Sequence, residues 1–193
     1  RFLPGSRKGG ESLLGRRTIL AHCVHCTDAE LKRMAEAHAS IAHCPVSQQF
    51  LGSGTMPWRR TVEAGVNIAV GSDIAGGDCW FIPGVLNAAY KVHISEPGED
   101  SAALHPAELL HLATIAGARA LDLEDRIGNF DPGREADLVI IDPSRWWPLA
   151  NSLEWDLPSD DPIKGSHARL YTLLMACHEI ALSATYVRGQ KLN

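Results

Sequence analysis

Three polar residues stand at the ends of three apolar runs, and each is of a type that can do chemistry. Asp73 closes the run Val66-Asn67-Ile68-Ala69-Val70 through Gly71-Ser72. A carboxylate there can serve as a hard oxygen ligand to zinc and can take a proton from a metal-activated water. An ordinary turn or N-cap aspartate explains the same residue equally well. His22 follows Thr18-Ile19-Leu20-Ala21; its imidazole can bind a metal or hydrogen-bond a reacting water or a carbonyl, or simply pack. His43 follows Ser40-Ile41-Ala42, where a packing or supporting role is favoured over direct ligation. The three lie 21 and 30 residues apart. That spacing locates a site but does not specify a reaction.

Other residues with reactive side chains form weaker patterns. Cys23-Val24-His25-Cys26 could be half of a zinc clip or a redox pair. A structural zinc site needs a second such pair, and Cys44, Cys79 and Cys177 are too scattered to make one. His93-Ile94-Ser95-Glu96 has the one-turn spacing of a ligand and a proton shuttle. It ends a helical pattern just before Pro97-Gly98, so a solvated helix terminus is expected. His38, His105, His111, His167 and His178 show no ligand spacing, and Trp146, Trp147 and Trp155 read as packing groups.

The elements around these residues alternate. Thr27 and Glu30 form a capping box before a helix whose Leu31, Met34 and Ala35 share a face. A second helix is expected from Trp58 to Ala64, opened by Pro57 and closed by Gly65. The three apolar runs lack alternation and read as strands buried on both faces of a parallel sheet. A (β/α)8 barrel uses roughly 30 residues per unit and carries its site at the C-terminal strand ends, where His22, His43 and Asp73 fall. Helices are expected from about Phe81 to His93, from Pro106 through Ala113, and in a short piece from Gly117. The Pro- and Gly-rich turn Gly128–Gly133 marks an exit into a strand of another layer, Ala136–Ile141. An irregular connection over 143–163, a helix from His167 to Ala176 and a terminal strand from Ala184 complete the pattern.

Composition narrows the class. The 193 residues are 45% hydrophobic and 21% charged, the balance of a soluble globular protein. A net charge of −5 offers no basic footprint for nucleic acid, and no run is long enough to span a membrane. There is no secretory signal pattern, and five cysteines without framework spacing suggest reduced thiols and a cytoplasmic location. The first residue is Arg1 rather than Met, so a start away from the natural initiation site is expected.

Taken in order, the segments resemble the guanine deaminases of the amidohydrolase superfamily. The likeness is carried by Ala21-His22-Cys23-Val24-His25, Ile41-Ala42-His43-Cys44-Pro45, Phe50-Leu51-Gly52-Ser53-Gly54 and Gly71-Ser72-Asp73-Ile74-Ala75-Gly76-Gly77. It continues through Ala88–Val92, Leu112-Ala113-Thr114 and Ile127–Asp137. The resemblance implies an α/β fold: the C-terminal portion of a (β/α)8 barrel, about strands 6–8, over 17–128, entered by a loop over 1–16. Part of a small β-sandwich with a barrel-associated helix would occupy 129–193. It implies zinc-dependent hydrolysis of guanine to xanthine and ammonia in purine catabolism, with Asp73 as metal ligand and proton acceptor. His22 would face the water and substrate, and His43 would support the site from behind. Ser72 stands where Thr is usual, and Val46-Ser47-Gln48-Gln49 replaces a more typical Ser/Thr-Ser-Asn stretch.

The family's His-x-His pair and its fifth-strand histidine and glutamate are absent from this sequence. A missing N-terminal barrel half is therefore the expected partner, the complete enzyme is expected to be a homodimer, and this chain alone is expected to be inactive. The alternatives are a relative acting on another aminated purine or triazine ring, a half-barrel subunit, or a non-catalytic remnant.

Overall fold

Thr27 opens the first helix as its sequence requires. Its hydroxyl accepts from the Glu30 amide while the Glu30 carboxylate accepts from the Thr27 amide at 2.8 Å, so two orphan donors are satisfied together. In the computed structural model, which describes residues 12–155 and 161–192, this helix (α1, Asp28–Glu36) connects β1 (Ile19–Ala21) to β2 (Ser40–His43). Two short helices, α2 (Pro45–Phe50) and α3 (Trp58–Glu63), lead to β3 (Asn67–Val70). Pro57 caps α3, and Gly65 ends the turn after it in the left-handed region, φ 77°.

The three strands form one parallel sheet in the order β1-β2-β3, with Ile19 opposite Ser40 and Ser40 opposite Asn67. β2 is mostly buried, as expected, and β3 buries its central Ile68 and Ala69. β1 differs: Ile19 and Ala21 are exposed. Among the described residues it is an edge strand, with only β2 beside it. Helices cover the sheet: α4 (Ile82–Ile94), α5 (Pro106–Ala113) and α6 (Ile115–Ala120). Leu31, Met34, Ile41, Trp58, Ile68, Leu86, Leu109 and Leu112 make the main core. Leu14 packs against that core, whereas Leu13 is exposed, so only one of the pair anchors the entry loop. Arg16 ties the entry to the far side of the unit through Asp122 and Glu124.

A second sheet is antiparallel: β4 (Leu138–Ile141), β5 (Leu182–Val187) and β6 (Gln190–Lys191). Arg188 and Gly189, at φ 50° and 75°, make the tight turn between β5 and β6, the two-residue hairpin geometry that matches strand twist. The connection expected to be irregular contains α7 (Trp147–Glu154), started by Pro148 in its first turn, and α8 (Pro162–Ala176) begins earlier than expected. Asp161 caps α8 by accepting from the amides of Ile163 and Lys164. Residues 156–160 of that connection lie outside the described residues. Among its tryptophans, Trp146 stacks on His178 at 4.7 Å, but Trp147 and Trp155 are exposed and do not pack as expected.

Candidate active site

The C-terminal edge of β2 positions both of its neighbours. The Ala42 carbonyl accepts from the His22 amide at 3.0 Å, one residue past β1, and the His43 carbonyl accepts from Gly71 at 2.9 Å, one residue past β3. Each chain then turns sharply. His22 and Cys23 adopt left-handed backbone, φ 66° and 51°, as does Asp73 at 47°. Left-handed backbone costs a residue other than glycine about 1 kcal/mol or more, and such conformations persist only where the surroundings fix them. For Asp73 the fixing is local: its carbonyl accepts from Gly76 and Gly77 at 2.9 and 3.0 Å, and Ala75 donates to Gly77.

These turns aim the two side chains at one another. His22 Nε2 lies 3.7 Å from Asp73 Oδ2, with 42% and 38% of the side chains exposed. The separation is too long for a hydrogen bond. Both groups therefore face the same accessible space, where the carboxylate can accept a proton and the imidazole can donate or accept a hydrogen bond. Gly76 allows the close approach, since a Cβ there would stand 2.5 Å from Asp73 Oδ2. Gly77 passes nearly as close to the start of α2, with an ideal Cβ 2.9 Å from the Ser47 amide nitrogen. Beside the turn, burial and then the Asp73 charge push the Cys44 thiol up to about 11, keeping it protonated.

Behind this edge lies a buried polar cluster. His43 is fully buried, and its Nε2 is 3.0 Å from Nε2 of His93, itself fully buried on α4. The solvated terminus expected for His93 is thus corrected. α4 does end at Ile94, but His93 falls on the same stripe as Leu86 and Ala89 and turns inward against Trp58, 4.8 Å between rings. Burial first, then the charges of His93 and His22, depress His43 to about 3, and burial depresses His93 to about 4. Both rings are neutral at pH 7, so one Nε2–H donates to the other's lone pair. Their Nδ1 atoms have no partner among the described residues. His43 is thus packed inside the protein, the position that the packing reading from sequence calls for.

Gln48 adjoins this edge, a contact that sequence reasoning misses. It is buried on α2, and its Nε2 donates to the His22 carbonyl at 3.1 Å. Its only sequence signal is that Gln48 departs from the usual stretch. Cys23 and Cys26 are free thiols, both raised by burial, Cys23 to about 12. No group of three or more His, Cys, Asp or Glu side chains among the described residues is arranged to hold a metal ion. His105 serves the fold instead. Its Nδ1 accepts from Ala107 at the start of α5, and its ring meets His167 edge-on.

A model of the Amidohydrolase family matches residues 6–168. The chain belongs to the amidohydrolase family. Among its relatives, a probable guanine deaminase of Deinococcus radiodurans is 41% identical over 143 residues, covering 73% of this chain and 32% of the relative. The solved guanine deaminase of E. coli superposes with a TM-score of 0.83 at 32% identity, covering 94% of this chain and 40% of that one. A zinc-bound adenosine deaminase of Xanthomonas campestris gives 0.75 at 29% identity, covering 93% of this chain and 37% of that one. This amidohydrolase chain therefore spans between 32% and 40% of the length of these relatives. Its α/β sheet and helices are those of its structural neighbours. Among the described residues, no helix is long and apolar enough to cross a membrane.

Proposed function

We propose that this chain is the C-terminal part of a zinc-dependent guanine deaminase, which hydrolyses guanine to xanthine and ammonia in the complete enzyme. The observation that carries the reading is the convergence of His22 and Asp73, 3.7 Å apart, at the C-terminal ends of strands in one parallel sheet. Ligands of open α/β architectures collect at such strand ends. The 41% identical relative and the structure superposing at 0.83 are both named for guanine deamination, which favours guanine over other rings. On this reading, residues 17–128 complete a (β/α)8 barrel with a preceding segment, and 129–193 contribute to a β-sandwich. The working location is the cytoplasm.

The donor chemistry fits zinc only in part. Asp73 offers one hard oxygen ligand, whereas a catalytic zinc takes about three protein ligands. The described residues do not by themselves supply that set, so the remaining ligands belong to the rest of the enzyme. On this reading the chain's own groups take the following roles. Asp73 accepts the proton of the attacking water. His22 hydrogen-bonds that water or the substrate, and both act on the purine carbon that bears the amino group. The water oxygen bonds to that carbon while its proton passes through Asp73 to the ring nitrogen; the remaining hydroxyl proton passes to the amine, the carbon–nitrogen bond breaks, and ammonia leaves.

The runner-up is a deaminase of another aminated ring, favoured by the zinc-bound adenosine deaminase among the structural neighbours. Ultraviolet assays of the zinc-loaded complete protein with guanine, adenosine and an amino-triazine separate the two. Xanthine formation from guanine with the highest kcat/KM is expected. Faster turnover of adenosine or the triazine would replace guanine as substrate, and this chain alone is expected to yield neither xanthine nor bound zinc.

Gly76 gives a sharper test of the same site. In Gly76→Ala the new methyl would collide with Asp73 Oδ2 at 2.5 Å and force the carboxylate aside. Misplacing a reacting group by about 1 Å can cost roughly 100-fold. A loss of that order in kcat is expected, with an unchanged circular dichroism spectrum; unimpaired turnover would place Asp73 outside the chemistry.

A further inference from the structure

Among the described residues, the strained turn at His22 is tethered from outside its own sheet by a side-chain amide. The His22 amide is held by Ala42 at 3.0 Å, and the Cys23 amide folds back on Ala21 at 2.8 Å. The His22 carbonyl, by contrast, accepts from the Gln48 side chain at 3.1 Å. A carbonyl can only accept, so the amide must present its NH2 group there, and the orientation of Gln48 is fixed by chemistry.

Gln48 is itself immobilised. It is 2% exposed. Its backbone amide donates to Cys44 at 3.1 Å, and its carbonyl accepts from the Ser53 amide at 3.0 Å. The side chain therefore projects from a seated helix rather than a free loop. The path runs from α2 to a backbone carbonyl, and from there to an imidazole 3.7 Å from Asp73. Two successive left-handed residues, His22 and Cys23, would otherwise relax toward ordinary backbone. A change at φ of His22 swings the whole ring.

We propose that Gln48 is a positioning residue: its side-chain amide locks the left-handed turn at His22 and thereby holds the imidazole against the Asp73 carboxylate. The inference rests on the deaminase reading for its kinetic consequence but not for its structural one. Asparagine lacks one methylene and, from this position on α2, would fall short of the His22 carbonyl.

The test uses Gln48→Met and Gln48→Asn in the zinc-loaded complete enzyme, each read by crystallography and by steady-state kinetics with guanine. Methionine keeps length and burial but cannot donate; asparagine keeps the amide but not the reach. In both variants His22 is expected to leave the left-handed region, with kcat reduced about 10- to 100-fold and KM little changed. A role confined to packing would lower the unfolding temperature of Gln48→Asn, spare Gln48→Met, and leave kcat of both at the wild-type value below that temperature. That pattern, or a His22 turn unchanged in Gln48→Met, would overturn the proposal. Absence of guanine turnover in the wild-type enzyme would instead count against the deaminase reading, and the crystallographic comparison would still decide the tether.

Discussion

Replacing Asp73 by Asn in the complete enzyme is expected to lower kcat by about 1,000-fold, within the roughly 10²–10⁴-fold range for a positioned proton acceptor. The substitution is nearly isosteric, so the turn from Asp73 to Gly77 and its backbone hydrogen bonds at 2.9 and 3.0 Å should survive. What changes is charge and basicity. An amide oxygen cannot take the proton of the attacking water, and it is a poorer hard ligand than a carboxylate. Zinc content measured by atomic absorption is expected to fall together with kcat. On the proposed reading Asp73 acts on the water rather than on the purine, so KM for guanine should change little. His22→Gln is expected to cost less, since a hydrogen-bonding side chain is kept while Asp73, the proposed metal ligand, is untouched. An Asp73→Asn enzyme retaining a tenth or more of its activity would mean that Asp73 is the turn residue its sequence context equally allows.

Acid should destabilise this protein earlier than carboxylate chemistry alone would require. The unfolded chain takes up protons on its histidines near pH 6.5, the usual value, whereas the folded chain holds His43 at about 3 and His93 at about 4. The unfolded state therefore binds more protons below pH 6.5, and stability must fall as pH falls. The contribution of the pair is fully present above about pH 6.5 and is lost progressively as pH falls toward about 4 for His93 and about 3 for His43. Each group contributes about 1.4 kcal/mol per pH unit while only the unfolded state is protonated. Acidification to pH 4.5 therefore weakens the folded state through both rings.

Thermal unfolding of the complete protein, scanned from pH 7.5 to 4.5, checks this. His93→Leu is expected to unfold at lower temperature at pH 7, because His43 Nε2 loses the partner it has at 3.0 Å. Its pH dependence should nevertheless be shallower, with one buried titrating ring instead of two. An unfolding temperature that is flat between pH 6.5 and 4.5 would show that the two rings are not buried as neutral groups.

What the sequence discloses is mostly local. The capping box of Thr27 and Glu30, the Pro57 and Gly65 boundaries of α3, and the Pro- and Gly-rich exit at 128–133 are signals carried within a few residues. The structure forms the two helices at nearly the expected bounds and begins a separate sheet beyond the exit. The strand-end placement of His22, His43 and Asp73 is legible because a parallel sheet repeats at a fixed chain interval. The approach of His22 to Asp73 is not, since it depends on left-handed turns at both ends of some 50 intervening residues.

Two departures from the sequence expectation have the same origin. Pro97-Gly98 announces a helix end and so puts His93 in solvent, and the end does fall at Ile94. The terminus is legible but the face is not. Leu86, Ala89 and His93 make one inward stripe, and His43, 50 residues away, supplies the partner that makes burial tolerable. Gln48 likewise gives no local sign of its bond to a carbonyl 26 residues earlier. The apolar composition of β1 points to burial on both faces, but burial depends on what covers a strand, and composition does not report that.

The most direct measurement is an anomalous X-ray map collected at the zinc edge from crystals of the complete enzyme. The expected result is one strong peak about 2.0–2.2 Å from an Asp73 carboxylate oxygen, with the His22 imidazole facing the same position. A zinc bound elsewhere, with Asp73 beyond bonding reach or with Cys23 and Cys26 as its ligands, would contradict the assignment of this site.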